Sequence, residues 1–353
     1  MIELIDYTFI SDTGQTVDFT PSAFAPLGIT DLWSLKTEYF GNKLRLTAID
    51  PKVNGVTQTG TATLNGNFKF NEQPEPFALI PGGWLPMPLA SPQNFLVDRN
   101  VVDRLKKIHG MNSSVAFIQF KFWLQLIEES AIFNPLLYAL EGNKARRPSF
   151  SEFVSSFNEG TAAIQKALPK SKITYYSMAD YENVYQTIEL FARRTERETK
   201  FLEMVHPILA NRIKRGSENS IRSQLIKAAK DSNIQLLSIT FIAALSCLYD
   251  DPHGKIRSIG REVLKPHKSM IFNALSDIRS IELTWINQIY FKDRYFSLAT
   301  RDHGLASLWC TLSPIGNKSG GGDATFTFDL AEELFPRLDH SDIIKIRELL
   351  HND

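Results

Sequence analysis

Apolar and polar positions alternate over residues 1–75, in runs such as KLRLTAID and TATLNGNFKFN. A period of two is typical of half-buried β-strands. Asp12–Gly14, Asn54–Gly55 and Asn65–Asn67 punctuate the runs, and Asn and Gly accept the positive φ of tight turns at little cost. We therefore predict a β-rich N-terminal unit over residues 1–75.

Residues 76–93 interrupt this alternation with the Pro- and Gly-rich run PFALIPGGWLPMPLASPQ. Each proline removes a backbone N–H donor, which disfavours regular structure. We predict a linker that packs through Phe77, Trp84 and Leu85. A binding loop built on Trp84 is the alternative interpretation.

Beyond the predicted linker, the pattern indicates an α/β domain over residues 94–353. The apolar run at Phe95 ends in Asp98 and leads into a helix, and YFSLA at Tyr295–Ala299 is a second strand candidate. Helical spacing predominates over residues 149–229, where the run ARRTERETK is typical of a solvated face. We predict a sheet flanked by helices, with a helical insertion over about residues 155–270.

The C-terminal pattern predicts a loop at GNKSGGGD, a short FTF strand and an amphipathic helix at DIIKIRELL. The Gly-rich loop lacks the Lys-Ser/Thr pair that a phosphate loop requires.

The charge balance, the first residues and the cysteine positions limit the classes of protein to which the chain could belong. Lys plus Arg and Asp plus Glu each total 39, so any nucleic-acid contact must come from local basic clusters. The first residues carry acids where a signal peptide needs a basic region, and the apolar run at 236–249 is short for a membrane span. Cys247 and Cys310 lie in apolar contexts without metal or disulfide spacing. We expect a cytoplasmic protein without a membrane segment.

Four acids interrupt apolar contexts at element ends or on helix faces: Asp98, Glu141, Asp277 and Asp302. A buried carboxylate costs several kcal/mol unless a cation, a donor network or a metal compensates it. Clustered carboxylates suit Mg²⁺, which binds a few acidic ligands together with phosphate oxygens and can activate an attacking water.

Each acid also has a purely structural interpretation. Asp98 could cap the helix that follows it, and Glu141 could be an ordinary helix-end acid before Gly142. Asp302 could pair with Arg301, and Asp277 with Arg279 or as a cap within its own helix. The sequence leaves these alternatives open.

The contexts of the four acids resemble the PIN-domain nucleases, over about residues 94–150 and 270–312. FLVDRNVV is similar to the family's first motif, a strand followed by Asp-x-Asn, and SLATRDHGLASLW to its late Thr-x-Asp motif. PLLYALEG and NALSDIRSIEL resemble the helices that present its second and third acids. The four motifs occur in the family's order.

This resemblance implies a PIN-like, Rossmann-like parallel sheet and an endoribonuclease that hydrolyses RNA, in preference to DNA, with Mg²⁺ or Mn²⁺. Asp98, Glu141, Asp277 and Asp302 would be its catalytic metal ligands, with Asn100 and Thr300 in supporting positions. Because the insertion separates the motifs, the second acid could instead be one of three other glutamates: Glu128, Glu129 or Glu152.

Two basic clusters are the candidate nucleic-acid contacts: Arg146 and Arg147, and Arg212, Lys214 and Arg215. A solvated turn between helices is the alternative interpretation of the second cluster. By family analogy the protein would be a toxin or defence effector, forming a homodimer or meeting a regulatory partner. The alternative function is a non-catalytic PIN-like interaction or sensor protein of a regulatory or defence complex.

Overall fold

The structure is a computed structural model that describes residues 7–10, 16–20, 23–35, 43–67, 76–90, 93–108, 121, 124–142, 146–211, 213–249, 258–266, 270–291, 294–320 and 323–351. It divides into two compact units. The first comprises Met1–Ala139, Ser155–Tyr175 and Thr284–Arg301, and the second Leu140–Val154, Tyr176–Leu283 and Asp302–Asp353.

The strands within the described residues are β1 (Tyr7–Ile10), β2 (Thr16–Thr20), β3 (Ala23–Phe24), β4 (Lys43–Ile49), β5 (Lys52–Val53), β6 (Val56–Thr57), β7 (Thr61–Asn67), β8 (Phe77–Ile80), β9 (Gly83–Pro86), β10 (Asn94–Val97), β11 (Ile132–Asn134), β12 (Lys172–Ile173), β13 (Phe296–Thr300), β14 (Leu312–Gly320) and β15 (Asp323–Leu330).

The α-helices within the described residues are α1 (Ile29–Ser34), α2 (Arg99–Lys106), α3 (Leu136–Glu141), α4 (Phe150–Ala167), α5 (Met178–Leu190), α6 (Ala192–Leu209), α7 (Glu218–Ser232), α8 (Ile239–Ser246), α9 (Ile259–Leu264), α10 (Ile271–Tyr290), α11 (His303–Thr311) and α12 (His340–His351). Short 3₁₀ turns lie at Met87–Ala90, Cys247–Tyr249 and Glu332–Leu334. None of the described helices is both long and apolar enough to cross a membrane.

A six-stranded sheet in the order β12-β11-β10-β13-β8-β9 forms the core of the first unit. β10 runs parallel to β11 and to β13, and β11 runs parallel to β12. β8 joins β13 antiparallel and carries β9 as an antiparallel edge strand. The predicted α/β class with a sheet flanked by helices is confirmed, but the sheet is mixed rather than wholly parallel.

The strands predicted at 95–98 and 295–299 are present as β10 and β13, side by side in register from Asn94 opposite Phe296 to Val97 opposite Ala299. All five residues of β13 and the last three of β10 are buried. Central parallel strands are covered on both faces, which explains why both segments are continuous apolar runs rather than alternating ones.

The predicted linker over 76–93 is wrong in its central part, because β8 and β9 form a buried hairpin there. Trp84 is fully buried, packs edge-on against Phe77 and donates its indole N–H to the Gly28 carbonyl at 2.9 Å. The alternative of a binding loop on Trp84 is therefore also wrong. Gly83 allows the close approach, since a Cβ there would lie 2.1 Å from the Leu27 carbonyl oxygen.

The N-terminal strands form two small antiparallel sheets, β1-β2-β5-β6 and β3-β4-β7. Asn54 and Gly55 have φ of 49° and 80° between β5 and β6, as the turn prediction requires. The turn predicted at Asn65–Asn67 is wrong: this segment is the end of β7 and pairs with β4. The turn predicted at Asp12–Gly14 lies outside the described residues.

Helices dominate the second unit, as the spacing over residues 149–229 predicts. The Ser149 and Glu152 capping box is present, with the Ser149 N–H donating to Glu152 Oε2 at 2.8 Å. β14 and β15 pair antiparallel from Leu312 to Leu330, so most of the segment predicted as a Gly-rich loop belongs to a hairpin. The helical prediction also missed β12, a short strand of the first unit's sheet.

Candidate functional site

Asp98 lies at the carboxyl end of β10, where the sheet gives way to α2. Its backbone N–H still donates to the Ala299 carbonyl at 2.9 Å, and its φ and ψ of −67° and 156° place it at the N-cap of the helix. Its side chain accepts the Arg99 N–H at 2.7 Å, and the residue is only 5% exposed. Asp98 is therefore a fixed, nearly buried carboxylate, and helix capping is part of its role.

Thr300 and Asn100 hold the Asp98 carboxylate from two sides. Thr300 Oγ1 donates to Asp98 Oδ2 at 2.6 Å, and Asn100 Nδ2 donates to the same oxygen at 2.5 Å. Asn100 Nδ2 also donates to Thr300 Oγ1 at 3.1 Å, and Asn100 Oδ1 accepts the Arg301 N–H at 2.9 Å. The ends of β10 and β13 are thus joined by a closed polar network.

We predict that Thr300→Val lowers the free energy of unfolding by about 1–3 kcal/mol, because the nearly buried Asp98 carboxylate loses the hydroxyl donor of the fully buried Thr300 at constant side-chain shape. Urea unfolding followed by circular dichroism measures the change. Thr300→Ser keeps the hydroxyl and serves as the matched control. A loss in Thr300→Ser without one in Thr300→Val would show that the methyl group, rather than the hydrogen bond, stabilises this strand end.

In the second unit, Lys265 joins Asp277 and Asp302. Its Nζ lies 3.5 Å from Asp277 Oδ2 and 3.4 Å from Asp302 Oδ2. Burial disfavours the charged ammonium, but the negative charges of the two carboxylates outweigh it, so the pKa of Lys265 is raised above its usual value. Lys265 is the C-cap of α9, with a left-handed φ of 46°.

Asp302 also caps α11, through an Oδ1 that accepts the Leu305 N–H at 3.0 Å. Close packing fixes this helix start: a Cβ on Gly304 would lie 2.9 Å from Glu262 Cβ and 3.1 Å from Asp302 Oδ1. Asp277 lies within α10 and is paired with Lys265, while Arg279, its partner in the sequence alternative, binds Glu198 and Glu282. Asp277 and Asp302 share the ammonium group of Lys265. This shared contact depends on the fold, and the sequence did not predict it.

Glu141, the predicted second acid, is the last residue of α3, followed by Gly142 at φ 62° as the predicted helix stop. The three alternative glutamates have structural roles. Glu128 accepts the Lys170 N–H, Glu129 pairs with the Lys170 ammonium, and Glu152 closes its capping box.

Neither the surroundings of Asp98 in the first unit nor those of Asp277 and Asp302 in the second fit a metal ion as they stand. Within the part of the chain that the structure describes, no group of three or more His, Cys, Asp or Glu side chains is placed to hold one. Three donors already bind Asp98, and a lysine ammonium already balances Asp277 and Asp302. A metal at the second pair would have to replace Lys265.

The candidate nucleic-acid contacts differ in their surroundings. Arg146 pairs with Glu152 at 2.8 Å, while Arg147 pairs with Glu189 at 2.7 Å and lies over the Tyr185 ring. Lys214 and Arg215 are exposed in the turn before α7, and Arg212 lies outside the described residues. The first cluster is therefore engaged with acids of the same unit, and the second is a solvent-facing turn.

Sequence reasoning missed a buried charge network in the second unit. Arg194 and Glu198, on the α6 face predicted to be solvated, are 9% and 0% exposed. They bind Arg279 and Glu282 of α10 through paired salt bridges. The spacing of Arg194 to Glu198 is i to i+4, a signal that suits exposed and buried pairs equally.

Comparison with protein-family models, with curated proteins and with solved structures finds no match.

Proposed function

We propose that the chain is a PIN-like endoribonuclease that hydrolyses phosphodiester bonds of RNA, with Mg²⁺ or Mn²⁺ as its cofactor. One observation supports this above the others. Asp98 and Thr300, from the first and the last of the four motifs, lie 2.6 Å apart, oxygen to oxygen, at the carboxyl ends of neighbouring parallel strands. Open α/β sheets bind their ligands at that edge. The further role as a cytoplasmic toxin or defence effector rests on the family resemblance alone.

The chemistry of the residues at this edge is consistent with the proposal. Asn100 and Thr300 fix the orientation of the Asp98 carboxylate, and a positioned carboxylate can accept the proton of an attacking water. Oδ1 accepts from the Arg99 N–H, while Oδ2 accepts from Asn100 and Thr300. Since the acids as arranged do not fit an ion, metal dependence is the part of the proposal that needs the most direct test.

We expect the purified chain to cleave single-stranded RNA in Mg²⁺ or Mn²⁺ and to lose this activity in EDTA. Asp98→Asn should reduce the cleavage rate by roughly 10²–10⁴-fold, the usual contribution of a positioned acid or base. End-labelled RNA, with DNA of the same sequence beside it, measures the rate and the preference. Thermal melting of each variant establishes that the protein compared is folded.

Asp103→Asn is the matched control, because Asp103 lies on α2 one turn further and forms exposed pairs with Arg99 and Lys106. It should leave the rate unchanged. Cleavage that persists undiminished in Asp98→Asn would refute the assignment of Asp98. Cleavage that depends on Asp98 but not on a divalent ion would refute the cofactor alone.

The second candidate is a non-catalytic PIN-like interaction or sensor protein of a regulatory or defence complex. A specific observation favours it: Asp98 and Asp302 cap helices, and Asp277 and Asp302 are paired with Lys265. These structural roles explain the positions of Asp98, Asp277 and Asp302 without a catalytic function. Absence of cleavage on RNA and DNA, in Mg²⁺ and in Mn²⁺, would favour this candidate over the nuclease.

A further inference from the structure

The second unit contains a cavity of about 370 Å³ beside the buried charge network. Ligand pockets span roughly 300–1,000 Å³, so this volume suits one small molecule rather than a strand of nucleic acid. Helices α6, α7, α8 and α10 and strand β15 all contribute to its wall. None of the four acids proposed for catalysis lines this cavity.

The acids in the cavity wall are already neutralised. Glu198 Oε1 accepts from Arg194 Nε at 3.3 Å and from Thr240 Oγ1 at 3.0 Å, and Glu198 Oε2 accepts from Arg279. Glu282 accepts from the same two arginines. Two carboxylates against two guanidinium groups leave this network without net charge, so it does not repel an anion.

The cavity wall contains more cationic than acidic side chains. Among the lining residues that the structure describes, Arg194, Arg197 and Lys230 are cationic, and Glu198 and Glu282 are the acids. Arg194 belongs to the neutral network, so Arg197 and Lys230 are the lining cations outside it. Ser238, also in the wall, is the N-cap of α8, whose first turn adds the positive end of a helix dipole. The electrostatics of the cavity therefore favour an anionic ligand.

The cavity wall also has an apolar part, formed by Phe326 and Phe328 of β15. Their ring centroids lie 6.0 Å apart at an interplanar angle of 31°. Ile234, Leu237 and Gln235 also line the cavity. Aromatic side chains pack well against flat rings, and an amide can both donate to and accept from the edge of a base.

We infer that this cavity binds a nucleoside monophosphate, with the phosphate at Arg197 and Lys230 and the base against Phe326 and Phe328. The ligand must combine an anion with a flat, hydrogen-bonding ring, because the wall offers cations, aromatic rings and amides together.

Isothermal titration calorimetry of the full chain tests the inference with AMP, GMP, CMP and UMP as probes. At least one should bind, and the matching nucleoside and inorganic phosphate should each bind at least about 100-fold more weakly, since each lacks one half of the interaction. Absence of binding by all nucleotides at millimolar concentration would overturn the inference. Phosphate that binds as tightly as the nucleotide would also overturn it.

Lys230→Ala is the informative variant, because Lys230 is exposed on α7 and its loss should not unfold the chain. It should weaken binding by at least about tenfold, the value of a charge-assisted hydrogen bond. Lys227→Ala, also exposed on α7 but outside the cavity wall, is the matched control and should bind like the wild type. Equal affinities for the two variants would overturn the placement of the phosphate.

Leu237→Trp should fill the cavity and abolish binding, because Leu237 is a half-buried wall residue with room to grow into the empty volume. Circular dichroism reports whether this variant keeps its fold. A folded Leu237→Trp protein with unchanged affinity would place the ligand elsewhere. If the Leu237→Trp variant does not fold, the comparison of Lys230→Ala with Lys227→Ala still tests whether the ligand binds in this cavity.

Discussion

Glu198→Gln should lower the free energy of unfolding by about 3–5 kcal/mol, the cost of breaking a buried ion pair from one side. Glu198 is fully buried and accepts hydrogen bonds from Arg194, Arg279 and Thr240. A neutral amide would leave two buried guanidinium charges with Glu282 alone to balance them. Urea unfolding at neutral pH measures the loss.

Glu203→Gln on the same helix is the control, because Glu203 is exposed and its change should stay within about 0.5 kcal/mol. The double variant Glu198→Gln with Arg279→Met should lose less than the sum of the two single changes, since the second removes a charge that the first left unbalanced. Additive losses would mean that the four side chains do not act as one network.

We expect low pH to weaken the buried network of salt bridges that contains Glu198 and Glu282. Burial raises the pKa of Glu282, but the charges of Arg194 and Arg279 outweigh burial, so its pKa is lowered overall. A carboxylate with a depressed folded pKa contributes stability above its unfolded pKa and loses it as the pH falls through the folded value. The stability difference between the wild type and Glu282→Gln should therefore be largest near neutral pH and shrink in acid.

The two strand ends of the candidate site were predictable because their sequence pattern is local. β10 and β13 are short, continuous apolar runs that stop at polar residues, and central parallel strands need that composition. The hairpin of β8 and β9 was not predictable from the same rule. Pro86 is tolerated at the end of β9 because β9 is an edge strand, and position in the sheet order is a property of the fold.

The charge pairs that surround the acids could not be predicted either, because they join residues far apart in the chain. Arg194 meets Glu282 across 88 positions, and Lys265 meets Asp302 across 37. The sequence alone does not distinguish a buried arginine from a solvated one, as the run ARRTERETK illustrates. Chain folding, rather than residue type, decides which carboxylates receive a cation from the protein itself.

Lys265→Met should lower the free energy of unfolding by about 1–3 kcal/mol, less than a fully buried pair because the Lys265 side chain is 27% exposed. Methionine keeps the length of the side chain and the same left-handed backbone cost at φ 46°, so the loss reports the charge. Lys265→Arg keeps the charge and is the matched control. Thermal and urea unfolding measure both variants.

The pH dependence of this loss identifies its cause. In the wild type the raised pKa of Lys265 gives stability that is fully present below the unfolded lysine pKa and lost as the pH rises through the folded value. Without the ammonium, the negative charges of Asp277 and Asp302 repel each other, and protonation in acid relieves this repulsion. The variant should therefore recover stability relative to the wild type as the pH falls toward the carboxylate range, and a loss that is constant with pH would exclude repulsion.

Added Mg²⁺ or Mn²⁺ then separates the two functions proposed for these acids. If Asp277 and Asp302 are metal ligands, removing the competing ammonium should let millimolar Mg²⁺ raise the melting temperature of Lys265→Met by more than that of the wild type. Asp277→Asn in the Lys265→Met background should abolish the extra shift. If Mg²⁺ and Mn²⁺ stabilise neither protein, Lys265 is the cation that binds Asp277 and Asp302. A metal-dependent nuclease would then need other residues as metal ligands.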